Sequence, residues 1–154
     1  ICGLNVSDKE LDRAWNAMLL EFPARRVGWL KEVGRHYRIF LLSNTNAIHY
    51  PYFEDHMIKA HNIVSMDQIF EKVYLSHEIG MRKPDVEIFQ HVIEQNGLKP
   101  EETLFIDDTR GHIQGAREAG LHSLWLDTHN QRTEDFFTED YLLKDDLAIS
   151  SSMS

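Results

Sequence analysis

From Asp8 to Phe22, apolar residues recur every three or four positions, at Leu11, Ala14, Trp15, Met18, Leu19 and Phe22. That spacing predicts an amphipathic helix. Ser7 fits its N-cap, and Glu10 completes a capping box. Pro23 breaks the run, and a second helix is predicted to about Arg35. The pattern then changes. RIFLLS (38–43) is short and continuously apolar, as expected of a strand covered on both faces. Residues 46–60 and 65–70 read as helical or irregular. KVYLS (72–76), TLFIDD (103–108) and SLWL (123–126) predict three further strands. GMRKPDVEIFQHVIEQNG (80–97) predicts a helix with Pro84 in its first position, a buried stripe of Val86, Phe89, Val92 and Ile93, and Gly97 as its C-terminal cap. GHIQGAREAG (111–120) predicts another, with Gly120 just past its end.

Helix followed by β-α-β-α-β predicts an α/β fold, a Rossmann-like parallel sheet with right-handed crossovers. Composition agrees: 154 residues, 42% hydrophobic and 27% charged, describe an ordinary globular chain. The net charge of −9, without a basic patch, argues against nucleic acid as a partner. No apolar run is long enough to span a bilayer as a helix. Cys2 is the one cysteine, so the expected setting is reducing and cytoplasmic. Beyond Asp127 the chain turns acidic, and residues 131–154 read as a solvated tail ending in a mobile ISSSMS.

The chemistry concentrates where strands end, the side of such sheets on which ligands bind. LFIDD closes on Asp107 and Asp108. Two adjacent carboxylates repel, and a hard cation such as Mg2+ relieves that repulsion. Ser43 and Asn44 follow IFLL, where a hydroxyl and nearby amides can hold a phosphate oxygen. Lys83 stands at the mouth of a predicted helix and can neutralise a phosphate or orient a carboxylate. Taken singly, each has a plainer reading: a surface turn for the two acids, a Ser/Asn cap, a solvated lysine. Nine histidines raise the question of zinc, but none forms His-Glu-x-x-His. His49, just past LLSNTN, is a candidate for a substrate entrance. His112 reads as the start of a helix. Trp15, Phe22 and Trp29 read as packing between helices.

Together these segments resemble the haloacid-dehalogenase-like hydrolase superfamily: LLSN is similar to its second motif, GMRKP to its third and LFIDD to its fourth. More narrowly, LLSNTN, YLSHEIGMRKPDVEIFQHVIE and FIDDTRGHIQGAREAG resemble bacterial sugar-phosphate phosphatases of the alpha-glucose-1-phosphate type. The resemblance implies a Mg2+-dependent phosphomonoesterase working through an aspartyl-phosphate on a small phosphorylated metabolite. It implies that Ser43 bonds the transferring phosphoryl group and Asn44 supports that loop. Lys83 would contact the phosphate and the nucleophile, while Asp107 and Asp108 would hold Mg2+, Asp108 more directly. It also implies that residues 1–35 are the last part of a helical cap and 36–130 the core.

One element of the resemblance is missing. The superfamily's nucleophile lies in an Asp-x-Asp strand ahead of all these motifs, and residues 1–42 contain no Asp-x-Asp. That strand lies in family members between those bearing the second and fourth motifs, so its loss would leave apolar strand edges unpaired. With Ile1 as the first residue, the expectation is a fragment of a longer phosphatase, inactive alone. The alternatives are a non-catalytic phosphate-binding module and, more remotely, a 2-haloacid dehalogenase or a phosphomutase.

Overall fold

The computed structural model describes residues 24–47, 50–51, 54–55, 58–59 and 63–147. The predicted helix at 8–22, with Ser7, Glu10, Trp15 and Phe22, lies outside the described residues, as do Cys2, His49 and the terminal ISSSMS. The described chain divides between Leu75 and Ser76 into two compact units.

The first unit opens with helix α1, Ala24–Val33, directly after Pro23. It ends two residues short of Arg35, in a turn closed by Gly34 N–H on the Leu30 carbonyl. Strand β1, Phe40–Ser43, pairs in parallel with β2, Lys72–Leu75, in the register Phe40↔Lys72 to Ser43↔Leu75. Tyr50, Pro51, Glu54, Asp55, Ile58 and Lys59 are helical, and Met66–Gln68 form a 3-10 turn capped by the Ser65 hydroxyl. Val27, Ile63, Met66, Ile69 and Phe70 make the core, with Leu41 and Val73 packed against it from the strands. All four residues of β1 are only partly buried, whereas a strand covered on both faces was predicted. Among the described residues of this unit the sheet has two strands, which gives β1 less cover than an interior strand receives.

The second unit contains α2, Ser76–Ile79, and α3, Val86–Asn96. After these come β3, Leu104–Asp107, then α4, Arg110–Glu118, and β4, His122–Trp125. β3 and β4 are parallel, from Leu104↔His122 to Asp107↔Trp125. The parallel α/β class expected from the sequence is therefore observed. Gly97 caps α3 with φ +57, a left-handed turn that suits glycine.

Two details of α3 differ from expectation. Pro84 lies ahead of the helix, because Asp85 at ψ 134 is still extended and Val86 is the first helical residue. The buried face centres on Ile88 and Phe89, 0% and 1% exposed, while Val86, Val92 and Ile93 are partly covered. Phe89 packs over Gly115 of α4 and meets Phe105 of β3 edge to face, with ring centroids 5.1 Å apart.

The acidic stretch is also more ordered than a solvated tail. Thr133–Phe136 form a 3-10 turn, Phe137 bridges to Leu143, and Phe136 is buried. Apolar residues among the acids supply the reason: burying a phenylalanine outweighs the polarity around it. Among the described residues, no helix is long and apolar enough to cross a membrane.

Candidate active site

β3 ends in Asp107 and hands its carboxylate to three donors. The Lys83 ammonium reaches Oδ2 at 2.7 Å. The Thr109 amide donates to Oδ1 at 2.8 Å, an Asx turn in which the side chain bonds the backbone two residues on. His112 Nδ1 faces the same Oδ1 at 2.9 Å. An ionised carboxylate only accepts, so Nδ1 carries the proton and donates. Lys83 and Asp107 are 8% and 9% exposed at their side chains, which makes this a buried ion pair. Burial pushes the Asp107 carboxyl up. The hydrogen bond and charge of Lys83, the Thr109 amide and the His112 ring outweigh that effect and hold it below the usual carboxylate range.

Lys83 reaches this position through a close approach of backbones. A Cβ at Gly115 would fall on the Pro84 carbonyl oxygen and lie 3.0 Å from the Phe89 ring. The turn carrying Lys83 thus passes directly over α4 where no side chain stands. The ammonium also lies 5.5 Å from the centre of the Phe105 ring, a cation–π contact that covers the pair on one side.

Asp108 is arranged differently. Its side chain is exposed and, among the described residues, accepts one long bond of 3.3 Å from the Thr109 hydroxyl. A carboxylate has about four lone-pair positions. Three of those on Asp107 are in use, and nearly all of those on Asp108 are open. Among the described residues no group of three or more His, Cys, Asp or Glu side chains is placed to hold a metal ion. The described residues alone therefore do not form a cage for an ion. A cation that takes one or two carboxylates and keeps its water, as Mg2+ does, fits Asp108 with the remaining position on Asp107.

Ser43 and Asn44 belong to the first unit. Ser43 ends β1 opposite Leu75 and is partly buried; Asn44 follows it and is exposed. Lys83, Asp107 and Asp108 come together in the second unit with residues that sequence reasoning did not single out. His112, read from the sequence as the start of a helix, does lie in the first turn of α4; its contact with Asp107 was not foreseen. Its signal was the five-residue offset from Asp107, which brings a first-turn side chain back to the strand end. Trp125, whose indole N–H donates to the Asp108 carbonyl at 2.8 Å, carried no signal of its own.

Residues 52–126 match the family model described as haloacid dehalogenase-like hydrolase. The crystal structure of an HAD family enzyme from Bacteroides thetaiotaomicron, in complex with magnesium and inorganic phosphate, superposes with a TM-score of 0.78. It is 35% identical, over 88% of this chain and 67% of that one. The chain belongs to the haloacid dehalogenase-like hydrolase family. A predicted HAD-like hydrolase from Porphyromonas gingivalis is also similar, at TM-score 0.68 and 32% identity over 84% of this chain and 62% of its own. Among curated proteins, the D-ribitol-5-phosphate phosphatase of B. thetaiotaomicron is 28% identical over 123 residues, 80% of this chain. The chain spans 59% of that phosphatase's length. Within an HAD-like hydrolase, β3 and the turn before α3 are the segments that bear Asp107, Asp108 and Lys83.

Proposed function

We propose that this chain is the phosphate- and metal-binding part of a Mg2+-dependent phosphomonoesterase acting on a small sugar or sugar-alcohol phosphate. The observation that carries the reading is the buried Lys83–Asp107 pair, braced by His112, beside the open carboxylate of Asp108. Relatives support it in two ways: one is a D-ribitol-5-phosphate phosphatase, and another was crystallised with magnesium and inorganic phosphate. The cytoplasm, reducing enough for a chain with one cysteine, would be its setting.

In this reading, Lys83 presents a fixed positive charge to the phosphoryl oxygens and to the attacking carboxylate. Its own position is set by Asp107, which stays ionised because Lys83, Thr109 and His112 hold it so. Ser43 donates its hydroxyl to a phosphoryl oxygen, and Asn44 supports that turn. Asp108, with Asp107 beside it, would hold Mg2+; when bound, the ion neutralises charge on the transferring group. Fixed donors and charges of this kind suit phosphoryl transfer, where positioning and electrostatics do most of the work. An aspartate of the full-length protein would take the phosphoryl group as the ester oxygen leaves with the alcohol, and water would then cleave the aspartyl-phosphate to release inorganic phosphate.

A second reading rests on one observation. Asp107 is engaged at both oxygens, and residues 1–42 hold no Asp-x-Asp. A non-catalytic phosphate-binding module would have the same residues. Phosphate release by the full-length protein from a panel of sugar and sugar-alcohol phosphates separates the two. The enzyme reading expects turnover that chelation abolishes, and Asp108→Asn should lower it at least a hundredfold. Turnover unaffected by chelation and by Asp108→Asn would sink the metal assignment. Phosphate binding with no turnover on any substrate would favour the binding module.

A further inference from the structure

Trp125 closes β4 opposite Asp107. The last backbone bond of this ladder runs from the Leu126 amide to the Asp107 carbonyl, at 2.9 Å. The next carbonyl, that of Asp108, has already left the strand. A side chain takes over where the ladder stops: the Trp125 Nε1–H donates to the Asp108 carbonyl at 2.8 Å. The other end of the same peptide unit is the Thr109 amide, which donates to Asp107 Oδ1 at 2.8 Å. One peptide plane, between Asp108 and Thr109, is thus held at both ends. Holding the plane fixes the Asp108 ψ angle, and with it the local backbone from which the Asp108 side chain is presented. The indole is itself held, because the Arg110 guanidinium carbon stacks 3.7 Å from the ring centroid. Arg110 begins α4, so the ring ties the end of one strand to the start of the next helix. The Asp108 side chain has no comparable brace; among the described residues it meets the Thr109 hydroxyl alone.

We infer that Trp125 is a positioning residue for cation binding, fixing the Asp108–Thr109 peptide so that the Asp108 carboxylate is aimed before the ion arrives. The inference rests on the reading of Asp108 as a metal ligand given above. Partners that hold a ligand in place commonly contribute ten- to a hundredfold to metal affinity.

The test is Mg2+ affinity of the full-length protein, measured by calorimetry without substrate. Trp125→Phe keeps a ring for Arg110 to cover and loses the donor. Mg2+ should bind about tenfold more weakly. The Mg2+ concentration for half-maximal phosphate release should rise in step, with KM for the ester unchanged at saturating Mg2+. 3-Benzothienylalanine placed at position 125 has the size of tryptophan but a sulfur where the N–H stood. It should give the same loss and guards against a phenylalanine variant that packs poorly. Asp108→Asn is measured alongside. If Asp108→Asn binds Mg2+ like the wild type, the metal reading itself falls. If Asp108→Asn is weakened while both position-125 variants bind Mg2+ normally, only the role of Trp125 falls, even where they melt lower.

Discussion

Each unit of this molecule has a parallel two-stranded sheet and a well-formed ion pair, and the two pairs do different things. Arg38 grips Glu71 at 2.6 and 2.9 Å, just ahead of β1 and β2. Lys83 meets Asp107 at 2.7 Å, at the far end of β3. Distance does not distinguish them; burial and company do. The side chains of the first pair are 50% and 45% exposed, those of the second 8% and 9%. Water around Arg38 and Glu71 would solvate either group if the other were removed, so that pair is a clamp on strand register. Asp107 has little water and three protein donors instead. A buried charge is costly unless it is matched, and matching it that thoroughly also fixes it in space. The comparison teaches that burial and the number of donors, not distance, separate a charge fixed in space from a solvated clamp.

The sharpest way to break the comparison is to remove one partner from each pair. Lys83→Met leaves the Asp107 carboxylate buried without its cation and should cost about 3–5 kcal/mol in a denaturant melt. The double variant Lys83→Met/Asp107→Leu should recover much of that, because two apolar groups need no pairing. If the single variant melts like the wild type, the pair is more hydrated than its exposure indicates.

A middle-sized effect tests how Lys83 is brought to its place. Gly115→Ala would put a methyl on the Pro84 carbonyl and force the turn away from α4. We expect a loss of about 1–3 kcal/mol, the usual range for an overpacked site. Turnover of the full-length protein should fall by more than that loss of stability explains, since the displaced turn carries Lys83. Unchanged turnover and stability would mean that α4 slides to admit the methyl.

The smallest effect belongs to the exposed clamp. The hydrogen bond from Arg38, with its charge, outweighs desolvation and holds the Glu71 carboxyl below its ordinary value. A depressed carboxyl adds stability above its unfolded pKa, and that part disappears as pH falls through its folded value. Arg38→Gln should therefore melt nearly as the wild type at neutral pH in moderate salt. The difference between the two proteins should vanish on acidification. A large loss at neutral pH would show that this clamp, too, carries the fold.

Much of this was legible in the sequence. Four short apolar runs became four strands, because continuous apolar runs of that length bounded by polar residues have few other ways to be buried. Gly97 ended its helix as expected, since a left-handed cap follows from local sterics alone. The position of Pro84 and the buried face of α3 were not legible. Both depend on where α4 lies, and helical periodicity constrains which residues share a face without saying which face a neighbour covers.

The sequence by itself determined the element types, the parallel α/β class and the placement of Asp107, Asp108, Lys83 and Ser43 at strand ends or helix mouths. Those follow from short-range periodicity and from the chemistry of single residues. Only the tertiary structure decided that Lys83 pairs with Asp107, that His112 joins them, that Gly115 lets the Lys83 turn through and that Trp125 holds the Asp108 peptide. The hydrogen bonds among these are 2.7–2.9 Å long and depend on backbone paths that packing sets. No local pattern encodes such a distance, because the same residues could be set apart by a small rotation of one helix.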